Sequence, residues 1–194
     1  MAIRNTRNRT FATDTTFHVY NRGSDRRNIF VDDADRREFI DCFRRYLAPG
    51  RFVDSSCREY RKLSGSVAVM AYCLMPNHFH FVIHQYRARG LADLIAPAIT
   101  GYVKYFNKRH GRTGSLFDGE YRSVPKLDAF EQQIAIAYVH MNHADGPQYP
   151  FCSHSAYLAE AGDRPDWVNA DLGLGVFGGV DRYRRYLAGY AGRR

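Results

Sequence analysis

Two histidines, His78 and His80, stand two residues apart in Met75-Pro76-Asn77-His78-Phe79-His80-Phe81-Val82-Ile83-His84. Side chains on a β-strand alternate between faces, so His78, His80, Val82 and His84 point one way while Phe79, Phe81 and Ile83 point the other. Two imidazoles side by side on a rigid element, with an apolar row anchoring the opposite face, make a metal-binding platform. The plainer alternative is a pair of polar residues on a half-solvated strand. The Pro76-Asn77 turn in front of the pair and the strictly apolar opposite face favour ligands. A second pair, Tyr138 and Asn142, has i, i+4 spacing and so shares one face of a helix. If that face meets the histidines, two nitrogens and an amide oxygen surround a divalent cation, with a phenol aimed at a phosphate in its open positions. An aromatic on an amphipathic helix is more often core, so spacing alone does not assign Tyr138.

The elements that must position these residues are marked by periodicity and punctuation. Residues 15–21 are β-branched and aromatic and end at Arg22-Gly23, a first strand. Residues 33–47 set Phe39, Ile40, Phe43 and Leu47 at helical spacing between an Asp32-Asp33 cap and a Pro49-Gly50 stop. Residues 51–64 are polar and basic without a period, an exposed loop. The nearly all-apolar residues 66–74 predict a central strand, which Met75-Pro76-Asn77 turns back into the histidine strand as an antiparallel hairpin. Residues 91–110 predict a second helix. Within it Pro97 lacks an N–H and crowds the Asp93 carbonyl, so a kink or break is expected there. A loop over 111–119 leads to a short strand over 120–125. Asp128 with Glu131 resembles a capping box, opening a third helix over 129–144 that stops at Gly146-Pro147.

The order β-α-β-β-α-β followed by a helix predicts an α+β fold. It is a ferredoxin-like antiparallel sheet with helices on one face and an additional helix, carrying Tyr138, crossing the other. Regularity falls after Pro150, where a short basic helix over 182–187 is expected.

A chain of 194 residues suits one domain with extensions, and 45% hydrophobic with 14% aromatic residues exclude a disordered protein. No run of about 18 apolar residues exists, and no apolar segment follows the Arg- and Asn-rich N-terminus, so a soluble cytoplasmic protein with no membrane partner is expected. Cys42, Cys57, Cys73 and Cys152 show no C-x-x-C spacing and read as reduced, mostly buried residues. The net charge is +8, and only Lys62, Lys104, Lys108 and Lys126 of the 28 basic residues are not arginine. Arginine grips phosphate bidentately and stacks on bases, so an acidic polymer is the expected partner, against the plainer reading of solubilising charge.

Several segments together resemble a known family. They are residues 17–23 (Phe-His-Val-Tyr-Asn-Arg-Gly), 75–80 (Met-Pro-Asn-His-Phe-His), 105–107 (Tyr-Phe-Asn), 114–119 (Gly-Ser-Leu-Phe-Asp-Gly), 138–142 (Tyr-Val-His-Met-Asn) and 149–158. In this order they look like the single-tyrosine HUH transposases, and most like REP-associated tyrosine transposases. The resemblance spans roughly residues 15–187. It implies an HUH endonuclease fold in which His78 and His80 are the paired metal ligands, Asn142 is the third ligand and Tyr138 is the nucleophile. Tyr102 and Tyr105 on the second helix are rivals that the family pattern disfavours. The chain departs from the pattern at Asn142-His143-Ala144, where relatives read Asn-Pro-Val, and at Phe117, where relatives carry Trp. His143 or His140 is therefore a competing third ligand.

The resemblance divides the chain into a basic N-terminal arm (1–14), a single-strand DNA transesterase domain (15–146) and a basic C-terminal extension (147–194). It implies nicking and rejoining of single-stranded DNA through a 5′-phosphotyrosine, with Mg²⁺ or Mn²⁺ as the cofactor, acting on nucleoid DNA. The partners implied are single-stranded DNA and hairpins formed by inverted repeats, with the protein a monomer or homodimer. DNA contacts are expected from Arg4, Arg7 and Arg9 on the arm, Arg22, Arg26 and Arg27 after the first strand, and Lys104, Lys108, Arg109 and Arg112 at the end of the second helix. Arg182, Arg184 and Arg185 form a further basic set. Two other readings fit the sequence: a catalytically idle nucleic-acid-binding protein of the same fold, and a zinc-dependent hydrolase using His78, His80 and a third histidine.

Overall fold

The computed structural model describes residues 12–143 and 148–191. Strand β1 (Thr15–Arg22) leads through a single 3-10 turn into α1 (Asp33–Leu47), whose N-cap Asp32 accepts from the backbone N–H groups of Ala34 and Asp35. A long connection leads to β2 (Val67–Met75), and Pro76-Asn77 turns the chain directly into β3 (His78–Gln85), pairing Met75 with His78. Helix α2 (Gly90–Arg109), strand β4 (Arg122–Lys126) and helix α3 (Ala129–His140) follow. The four strands form one antiparallel sheet in the order β2-β3-β1-β4.

The two faces of β3 do different work, as alternation requires. On one face Phe79 and Phe81 meet Phe39 and Phe43 of α1, with ring centroids 4.8–6.2 Å apart, and Tyr102 of α2 closes edge-on over Phe39 at 4.9 Å. All five rings are buried, and each phenylalanine contributes roughly 1.5–3 kcal/mol by leaving water. On the other face, α3 crosses β2, β3 and β4.

Two element boundaries are corrected, and of the kink or break expected at Pro97 the structure shows no break. Helix α2 runs without a break through Pro97, which lies on its exposed side, where water can reach the Asp93 carbonyl that proline leaves unpaired. Strand β4 begins at Arg122, two residues later than the sequence suggests. Helix α3 ends at His140, not at 144. The backbone N–H of its C-cap, Met141, already bonds back to Ala137, and Asn142 stands beyond the helix.

The C-terminal part is also more regular than expected. It forms α4 (His154–Leu158), α5 (Ala170–Phe177) and α6 (Val180–Ala191), and it covers the open edge of β2. Leu74 N–H bonds to Phe151 O, Ser153 N–H to Tyr72 O and Asn169 N–H to Val69 O, each at 2.8–3.0 Å. A bare edge strand offers unpaired N–H and C=O groups to other chains, and these bonds remove that liability. Trp167 lies against Tyr72 at 4.9 Å, and Arg44 of α1 holds Asp166 through two bonds of 2.8–2.9 Å. The periodicity of the extension was weak because its buried residues face the sheet edge and α3 in several short segments.

Candidate active site

His78 and His80 sit on the α3 side of β3, with ring centroids 5.1 Å apart and planes perpendicular. Nδ1 of His78 lies 2.7 Å from Asn77 Oδ1. An amide oxygen only accepts, so Nδ1 carries the proton and Nε2 keeps its lone pair. Burial, and then the charge of Arg22 opposite it on β1, holds His78 below the usual histidine range. Burial pushes His80 down to about 3, with His18 and His78 adding to the shift, so both rings are neutral at neutral pH. Neutral imidazoles are what a divalent cation needs, and on His78 the tautomer that leaves Nε2 open is fixed as well.

Tyr138 descends on this pair from α3. Its ring meets that of His80 edge-on, with centroids 5.3 Å apart and planes at 89°. Asn142 reaches the same place from beyond the helix end. Its Nδ2 lies 3.5 Å from His78 Nε2. A half-turn of the amide exchanges its nitrogen for its oxygen. Two donors bound side by side to one cation at roughly 2.0–2.2 Å lie about 3 Å apart, so the His78–Asn142 spacing fits a shared metal ion. The structure thus brings His78, His80, Tyr138 and Asn142 together, although the helical i, i+4 argument for Asn142 fails with the end of α3.

The competing residues lie elsewhere. His140 is fully buried on the far side of α3, hydrogen-bonded to Ser153 Oγ at 2.8 Å and Tyr183 Oη at 2.7 Å. His143 lies flat on Tyr149, with centroids 3.6 Å apart. Tyr102 is buried in the opposite core layer with its hydroxyl donating to Ile29 O, and Tyr105 packs beside it. Among the described residues, no three His, Cys, Asp or Glu side chains converge as a metal cage.

One side chain here was not singled out from sequence. His18 of β1 places Nε2 2.9 Å from His80 Nδ1, and its ring lies 5.0 Å from that of His80 and 5.7 Å from that of Tyr138. Burial, and then the charge of Lys126, pushes it down to about 4. The available signal was the alternation of β1, in which His18 and Tyr20 share the face opposite Phe17 and Val19.

The expected DNA-binding residues divide. Arg22 stands opposite His78 and pairs with Asp118 at 3.4 Å, with both side chains more than half exposed. Arg26 is exposed beside Asn77, whose amide donates to its carbonyl. Arg27 is held by Ser24 O and Asp25, Lys104 and Lys108 are exposed on α2, and Arg112 lies over the Phe106 ring. Arg109 is engaged within the protein by Asp32 and Asp35. Arg4, Arg7 and Arg9 lie outside the described residues. Two surface clefts, one beside β2 and Trp167 and one between α3 and α6, do not include the histidines. No described helix is long and apolar enough to cross a membrane.

No protein-family model and no curated protein matches the sequence. Among solved structures, the chain is similar to a REP-associated tyrosine transposase bound to a REP hairpin. The likeness has a TM-score of 0.53 and 14% identity and covers 87% of this chain and 92% of that one. At that identity it is a likeness of fold.

Proposed function

We propose that the protein is a divalent-metal-dependent transesterase of the HUH type. On this reading it nicks and rejoins single-stranded DNA beside hairpin-forming repeats through a 5′-phosphotyrosine at Tyr138. The observation that carries this is the convergence of Tyr138 from α3 on His80 at 5.3 Å, beside the His78–Asn142 pair at 3.5 Å. The likeness of fold to a tyrosine transposase supports it, as does the net charge of +8. The strand order β2-β3-β1-β4 is read as a ferredoxin-like HUH core.

In this mechanism His78, His80 and the Asn142 carbonyl oxygen would hold Mg²⁺ or Mn²⁺. A cation held there would supply Lewis-acid chemistry, offsetting negative charge on the phosphate under attack and on the leaving oxygen. Tyr138 Oη attacks the scissile phosphorus. The new P–O(Tyr) bond forms as the P–O3′ bond breaks, the phenol proton passes to solvent, and the departing 3′ oxygen takes up a proton. One phosphodiester replaces another, so rejoining needs no nucleotide cofactor. Arg22 and Arg26, at the His78 end of the sheet, would grip phosphates flanking the scissile bond on this reading. The partner form is a DNA hairpin with an unpaired flank, and the place of action is the cytoplasm.

A denaturing gel of protein mixed with end-labelled single-stranded DNA tests this. A protein–DNA adduct is expected with Mn²⁺ or Mg²⁺, absent with chelator, and lost in Tyr138→Phe, His78→Ala and His80→Ala while DNA binding persists. An adduct that survives in Tyr138→Phe would move the nucleophile elsewhere. Cleavage without any adduct would favour metal-activated hydrolysis, and binding without cleavage a catalytically idle DNA-binding protein.

A further inference from the structure

We infer that His18 is a positioning residue that selects the metal-competent tautomer of His80 and braces Tyr138. The inference rests on the metal-site reading above and adds a residue to it. The two ligand histidines are not supported alike. His78 has Asn77 Oδ1, an obligate acceptor, behind its Nδ1, so its tautomer is determined by the turn of the β2–β3 hairpin. His80 is held differently. Its Nδ1 faces another imidazole nitrogen, His18 Nε2, at 2.9 Å.

That pair has two neutral arrangements. In one, His18 donates from Nε2 and His80 carries its own proton on Nε2, which removes the lone pair a cation requires. In the other, His80 donates from Nδ1 to His18 Nε2, and His80 Nε2 is open for ligation. Only the second is compatible with a His78–His80 metal site, and it makes His18 the proton acceptor behind the ligand, the part that a carboxylate or carbonyl plays behind most metal-bound histidines. The rest of the environment holds the His18 ring in place. The side chain comes from β1, opposite Val82 and diagonal to His80, and it packs against Tyr20 at 5.2 Å as well as His80 at 5.0 Å. Its third neighbour is the Tyr138 ring, met nearly edge-on at 5.7 Å and 71°. One half-buried imidazole therefore lies against both a metal ligand and the nucleophile.

The test compares His18→Phe, which keeps the ring volume but cannot accept, with His18→Gln, whose carbonyl oxygen can. Three quantities are measured: thermal unfolding without metal, Co²⁺ binding followed by its visible absorption, and the ¹⁵N resonances of the histidine rings, with His80 assigned by its loss in His80→Gln. The wild type is expected to show His80 protonated on Nδ1. His18→Phe should weaken Co²⁺ binding by about 10- to 100-fold with its unfolding temperature little changed, and His18→Gln should regain most of the affinity. The inference is overturned if wild-type His80 carries its proton on Nε2, if folded His18→Phe binds Co²⁺ like the wild type, or if Gln is as damaging as Phe. Failure of the metal-site reading itself looks different, because Co²⁺ binding would then be equally indifferent to His78→Ala and His80→Ala.

Discussion

Arg109 donates through Nη1 to Asp35, a carboxylate with no exposed surface, and the same guanidinium holds the exposed Asp32 through both of its amino groups. Asp35 also accepts from Val31 N–H at 2.8 Å and lies 3.0 Å from His110 Nε2. A charge buried in this way is tolerated only while its partners remain. Arg109→Ala should destabilise the fold by about 2–3 kcal/mol, below the 3–5 typical of stripping a buried carboxylate, because Val31 and His110 still serve Asp35. Urea unfolding measures this, and DNA affinity at fixed salt should change much less than in Lys104→Ala/Lys108→Ala. A variant with wild-type stability and lost DNA binding would make Arg109 a DNA contact rather than a structural residue.

The same cluster sets an acid limit. Hydrogen bonds from Arg109, and then from the Asp35 backbone, hold Asp32 well below the usual carboxylate range. A depressed folded-state pKa adds stability that is present above the unfolded value, near 3.9, and is lost as pH falls towards the folded one. The α1 N-cap should therefore contribute undiminished at neutral pH and weaken below about pH 4. Asp32→Asn keeps the cap acceptor but should flatten that acid dependence in thermal melts between pH 2 and 5.

Asn142 and His143 make a discriminating pair. Asn142→Ala removes the amide 3.5 Å from His78 Nε2 and should weaken metal binding and adduct formation while leaving stability nearly intact. His143→Ala removes a ring stacked on Tyr149 and should lower stability by about 0.5–1.5 kcal/mol, the scale of an aromatic pair, without shifting metal dependence. The reverse pattern in a metal titration would exchange the third ligand.

Two glycines of α5 should respond with opposite signs. A Cβ at Gly173 would stand 1.7 Å from Tyr157 Oη, and that hydroxyl is buried and bonded to Met70 O of β2 at 3.0 Å. Gly173→Ala should cost about 1–3 kcal/mol or more by overpacking, and loosen the extension from the sheet edge. Gly175 meets nothing within 4 Å, so Gly175→Ala should be neutral or stabilise by up to about 1 kcal/mol. Differential scanning calorimetry of the two variants decides between them.

Binding should be tighter to a hairpin with an unpaired 5′ flank than to plain duplex or unstructured strand, and should fall steeply with salt, because phosphate contacts release counterions. Removing residues 1–12, which carry Arg4, Arg7 and Arg9, should cost discrimination between stem sequences by about 1–3 kcal/mol if one or two bidentate base contacts are lost. Equal affinity for all three DNA forms at moderate salt would reduce the positive charge to a nonspecific surface.

Local pattern carried much of this site. Period-2 alternation placed His78 and His80 on one face of β3 and Phe79 and Phe81 on the other, and Pro76-Asn77 announced the hairpin, because strand geometry and turn chemistry act between near neighbours. The end of α3 was misread because the spacing of Tyr138 and Asn142 continues a helix that the backbone leaves at His140. Pairing between distant segments was beyond any local signal. That β1 lies beside β3, bringing His18 to His80 across 62 positions of sequence, is decided by assembly of the sheet. So is the engagement of Arg109 by Asp35, 74 positions away, which gives an arginine expected at the DNA a place in the fold as well. The extension gave little warning of its role for the same reason: its residues answer to the bare edge of β2, a partner that exists only once the sheet has formed.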